Sequence, residues 1–89
     1  MKIREDFQLK NIGDTYLVTK RVKEKTKILF ALNETGAFLW SELLAGAEEE
    51  KLVNKLCAEY EALPEEVEMI REDVADFLEQ LRGVDAVEE

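Results

Sequence analysis

The chain contains no histidine, a single cysteine (Cys57) and a single serine (Ser41). Without histidine it lacks the side chain that most often serves as general base near neutral pH. A Ser/His/Asp or Cys/His nucleophilic arrangement is therefore impossible. One thiol excludes an internal disulfide and any thiolate zinc cluster built within one chain. Cys57 also falls on a helical stripe with Leu52, Val53, Leu56 and Tyr60, so packing is its expected role. A chain of 89 residues buries only roughly 60–65% of its unfolded surface, enough for one core but not for a deep enclosed site. The expectation is a protein that binds rather than catalyses, with no cofactor and no metal.

The charge that would do the binding is unevenly spread. The whole chain carries −9, but residues 1–32 carry +4 and residues 33–89 carry −13. The cations gather at Lys20, Arg21, Lys23, Lys25 and Lys27. Such a cluster is either a solvated hairpin tip that deters edge pairing or a basic rim that steers an acidic partner. No apolar run approaches the ~20 residues a bilayer requires. Met1–Arg4 runs directly into Glu5-Asp6, unlike an export signal. A lone thiol fits a reducing compartment, so a cytoplasmic location is expected.

The elements that must position these groups change type in mid-chain. Phe7 and Leu9 alternate with polar neighbours, and Gly13-Asp14 marks a turn. Thr15–Thr19 is β-branched and aromatic, a second strand. After a charged loop, Lys27–Leu32 reads as the third, with Ile28 and Phe30 on one face and Lys27, Leu29 and Ala31 on the other. Asn33 then caps a helix with Glu34 in its first turn, and Gly46 stops it. A second helix covers about 48–60. The third begins at Pro64 and runs through Val67, Ile70, Val74, Phe77, Leu78 and Leu81 to Gly83. The tail to Glu89 is expected to fray. The spacing predicts one α+β domain over 1–89 with its core at about 7–83. Its class is winged helix-turn-helix-like, a three-stranded antiparallel sheet followed by three helices.

That class raises the question of DNA. The third helix would have to enter a groove, yet Arg71 and Arg82 face seven carboxylates along 64–82. Phosphate contacts demand the opposite sign, so no nucleic acid is expected as partner. A phosphopantetheine carrier is also excluded: Ser41 sits mid-helix between Trp40 and Glu42, and the first third is strand-rich.

At Leu32-Asn33-Glu34-Thr35-Gly36-Ala37-Phe38-Leu39-Trp40, continued by Glu42-Leu43-Leu44-Ala45-Gly46, the chain resembles the PqqD family. These are small proteins of pyrroloquinoline-quinone biosynthesis and their relatives in ribosomal peptide modification. Asp73-Val74-Ala75-Asp76-Phe77-Leu78-Glu79-Gln80-Leu81 has the family's closing pattern, and Ile12-Gly13-Asp14 fits its start. The resemblance covers roughly residues 7–83. It implies a RiPP recognition element, which binds the leader segment of a ribosomally made precursor peptide and presents it to a modifying enzyme, often a radical-SAM maturase. It also implies that the leader adds as an extra strand on the third strand, beside the third helix.

Strand addition has its own physical logic. An edge strand offers unpaired N–H and C=O groups that an extended peptide satisfies. The expected peptide-binding edge is Lys27, Ile28, Leu29, Phe30 and Ala31. The third helix has two flanks around its core arc: Phe77, Glu66, Asp73 and Gln80 on one, Arg71, Ala75, Leu78 and Arg82 on the other. The second combines small or apolar side chains with the helix's only cations and suits a leader carrying apolar anchors and carboxylates, so Arg71, Val74, Ala75 and Leu78 complete the expected site; the alternative for Arg71 is a pair with Glu68 or Glu72 on its own surface. The expected partners are the precursor peptide and the maturase, with no membrane, and the chain is expected to be a monomer or weak homodimer. The alternative is an interaction or regulatory module of the same fold with no part in peptide maturation.

Overall fold

The computed structural model describes Met1–Glu89. Period-two patterning gives way to helical patterning at Asn33, and the elements follow it. The strands β1 (Lys2–Ile3), β2 (Phe7–Ile12), β3 (Thr15–Val22) and β4 (Lys25–Leu32) come first. The helices α1 (Glu34–Leu44), α2 (Glu49–Glu59) and α3 (Val67–Gly83) follow, and β5 (Val87–Glu88) closes the chain. β2, β3 and β4 form an antiparallel sheet in that order. The expected three strands and three helices are present as one α+β, winged-helix-like fold.

The charged segment expected as a loop is strand instead. β3 and β4 continue to Val22 and Lys25, leaving only Lys23-Glu24 to turn. Continuing the ladder pairs backbone groups, while long Lys and Arg side chains keep their charges in water. Residues 21–28 are exposed on both faces, so the hairpin projects from the body. The radius of gyration is 13.4 Å, against about 12 Å for a compact chain of this length.

A second departure lies within β4. Val18 pairs with Phe30, but the next residue, Thr19, pairs with Ile28, leaving Leu29 as the extra residue of a β-bulge. The bulge breaks strict alternation. Phe30 shares the face of Val18, which is fully buried, whereas Ile28 shares the opposite face with Thr19 and is 62% exposed. Leu29 and Phe30 both pack against the core. The expected grouping of Ile28 with Phe30 is thereby corrected.

The core lies between the sheet's inner face and the helices. α1 contributes Leu39, Trp40 and Leu43; α2 contributes Leu52, Val53 and Leu56; α3 contributes Ile70, Val74, Phe77, Leu78 and Leu81. Phe7 and Val18 enter from the sheet. The Asn33 Oδ1 accepts the Gly36 N–H at 2.9 Å, fixing the start of α1 at the end of β4. At the start of α3, a 3₁₀ turn over Pro64–Glu66 is closed by the Glu66 carboxylate, which accepts the Leu63 N–H at 2.8 Å.

The tail does not fray. β5 pairs antiparallel with β1, and the Arg4 N–H donates to the Ala86 carbonyl at 2.9 Å. Ile3, Ala86 and Val87 are buried there, so the core reaches beyond 7–83 at both ends. The Arg4 guanidinium meets Glu88 at 3.1 Å and Asp85 at 3.4 Å across the ribbon. Two residues of strand suffice because each strand takes one apolar side chain, Ile3 or Val87, out of water.

Candidate functional site

β4 pairs with β3 on one side only, so its other edge carries unpaired backbone groups. Along it, Lys27 and Ala31 are exposed, Ile28 points to the outer face, and Leu29 and Phe30 are half-buried against the core. The sequence-predicted edge is therefore a genuine edge. Its main chain is open to a partner even where its side chains are not.

Beside the C-terminal end of β4 lies a groove of about 420 Å³. Leu32, Leu39 and Phe77 give it apolar surface, Asn33, Thr35 and Gly36 bring the first turn of α1, and Asp73, Asp76 and Gln80 bring one flank of α3. Positions 73, 76, 77 and 80 recur at helical spacing, which places one continuous stripe of α3 along the groove. Met69, one turn before Asp73, is 57% exposed. Thr35 Oγ1 shares a 2.7 Å hydrogen bond with the Tyr60 hydroxyl, tying the start of α1 to the end of α2.

Neither Asp73 nor Asp76 takes part in an ion pair, nor does Lys25 or Lys27. The free carboxylates thus line the groove at α3, whereas the free lysines lie outside it, at the hairpin end of the β4 edge. No cluster of carboxylates and thiols is arranged to hold a metal ion. No helix is long and apolar enough to cross a membrane.

The other flank of α3 faces elsewhere. Arg71 Nη1 lies 2.7 Å from Glu50 Oε2 on α2, and Arg71 Nε lies 3.5 Å from Glu68 Oε1. The hydrogen bond to Glu50, then that carboxylate's charge and that of Glu68, raise the guanidinium pKa further above its already high ordinary value. Ala75, one turn on, shares this flank. Val74 and Leu78 are fully buried core residues. Arg82 reaches Glu89 at 2.8 Å. The structure does not bring Arg71, Val74, Ala75 or Leu78 to the groove beside β4.

A helical wheel offers two flanks of equal standing around one core arc. Which faces the sheet edge depends on where α2 packs, and α2 takes the Arg71 flank. Asp73, Phe77 and Gln80 had been legible as one stripe, but nothing local marked it as the groove side. In the sequence Asn33 reads as a helix cap, and Thr35 and Gly36 as part of a family motif. Their position as one wall of the groove emerges only in three dimensions.

Comparison with known proteins points the same way. A family model described as Coenzyme PQQ synthesis protein D (PqqD) matches residues 21–87. A solved structure, TbiB1 in complex with the TbiA(beta) leader peptide, superposes with a TM-score of 0.76 at 27% identity, covering 99% of this chain and 95% of that one. No curated protein sequence matches the chain.

Proposed function

The chain belongs to the PqqD family, and from that premise we propose that it is a RiPP recognition element, binding the leader of a ribosomally made precursor peptide by strand addition. The observation that carries the reading is the unpaired edge of β4, opening beside a groove walled by α1 and α3. Likeness to TbiB1, a protein solved with a leader peptide, supports it across nearly the whole chain. In this reading Lys27–Ala31 supply main-chain pairing. Leu32 and Phe77 receive an apolar leader side chain, and Asp73, Asp76 and Gln80 receive its polar neighbours.

The chain is an adaptor rather than an enzyme. It lacks a histidine base, and its clefts are open rather than enclosed. Two partners follow: the precursor, and a modifying enzyme of radical-SAM type that docks while the leader stays bound. The setting is cytoplasmic, where precursor and enzyme are made and where a lone thiol stays reduced.

An amide NMR titration with the leader of a precursor encoded beside the chain tests this. Shifts concentrated at 25–33 and 73–80, saturating at micromolar peptide, are expected. Shifts that bypass β4, or none at all, would remove the leader-binding role and leave a generic interaction module.

A further inference from the structure

Charge is arranged along the proposed leader track, not scattered over it. At the hairpin end of β4, Lys25 and Lys27 are exposed and unpaired. At the other end, Asp73 and Asp76 project from α3 into the groove lined by Ala31 and Leu32, equally without cationic partners. Lys27 and Ala31 pair with Lys20 and Leu17, three positions apart on β3, so they stand about 10 Å apart at ~3.3 Å per residue. A strand laid along this edge meets positive potential at one end and negative potential at the other.

We infer that the leader segment taken by this groove is charge-polarised, with Arg or Lys beside Asp73 and Asp76, and Asp or Glu beside Lys25 and Lys27. The inference rests on the strand-addition reading above. For an antiparallel strand, the pairing used throughout this sheet, the cation precedes the anion by about four to six positions. The main chain supplies affinity that tolerates many sequences, and the two charged ends select register and direction. A leader with the opposite order places like charges together at both ends, which costs binding twice over. A leader whose carboxylates lie beside α3, as the cations of the third helix suggest, meets carboxylates at the groove.

The test pans a phage-displayed library of random peptides about twelve residues long, enough to cover β4 end to end. Wild type and Asp73→Lys/Asp76→Lys serve as parallel targets. Both aspartates are exposed and unpaired, so the variant keeps the fold. Selected peptides are then mapped by amide shifts on the wild type. The expected result is β4-directed binders with a basic residue preceding an acidic one. That order is lost or reversed with the variant, and a synthetic peptide of reversed order binds about tenfold more weakly in low salt. Binders that shift β4 amides without any charge order, or with the same order on both targets, overturn the polarity and leave strand addition standing. An absence of β4-directed binders counts against strand addition itself and takes the polarity with it.

Discussion

Gly36, in the first turn of α1, lies so close to Leu32 at the end of β4 that a Cβ built on it would come within 3.0 Å of the Leu32 Cβ. Both residues line the groove. The glycine lets the helix start directly over the strand end, with Asn33 capping between them. The Leu-Asn-Glu-Thr-Gly stretch is thus a strand-to-helix corner, and its glycine is favoured by proximity rather than by a special backbone angle.

Gly36→Ala sets two effects against each other. Alanine favours a helix over glycine by up to about 1 kcal/mol, while the new methyl presses on Leu32. The Leu32 Cβ does not move with its rotamer, so the end of β4 must give by a few tenths of an ångström. Stability is expected to change by less than about 1 kcal/mol, with leader affinity falling several-fold. Calorimetric titration beside thermal melting checks this; an unchanged affinity would mean that Leu32 does not shape the groove.

Leu78→Ala separates core from groove. Leu78 is fully buried, so truncation leaves a cavity and costs about 2–5 kcal/mol. The protein that remains folded is expected to bind the leader as before. Denaturant unfolding gives the first number, and a titration at low temperature gives the second. A loss of affinity without loss of stability would place Leu78 against the peptide after all.

Arg71→Ala probes the flank that faces α2. The side chain is part-exposed and paired with Glu50 and Glu68, so its removal is expected to have little effect on folding. Leader affinity should stay within about twofold of wild type, because the groove lies on the opposite flank. If binding weakens markedly while melting is unchanged, the leader runs along α2 rather than β4.

Ending the chain at Gly83 removes β5 and with it the partner of β1. Ala86 and Val87 leave the core, and Ile3 loses its cover. A loss of about 2–4 kcal/mol is expected, read as a fall in the urea midpoint. An unchanged midpoint would show that the terminal ribbon is ornamental to stability.

Much of this molecule is legible in its sequence. Alternation, β-branching and the Gly13-Asp14 turn marked the sheet, and the stripe from Val67 to Leu81 marked the long helix. Absence of histidine and the acidic third helix set expectations against catalysis and DNA binding from composition alone. These are local properties: periodicity, capping and charge sign follow from neighbours along the chain.

What remained depended on residues distant in sequence. The bulge at Leu29 arises from how β4 meets β3, and it separated Ile28 from Phe30 where alternation had joined them. The β1–β5 ribbon joins the two ends of the chain, and no short window contains both. Likewise, the side on which α2 packs decided which flank of α3 was free. The sequence determined that an apolar helix face and an open strand edge would exist; tertiary packing alone decided that Asp73, Asp76 and Phe77, not Arg71, would lie alongside that edge.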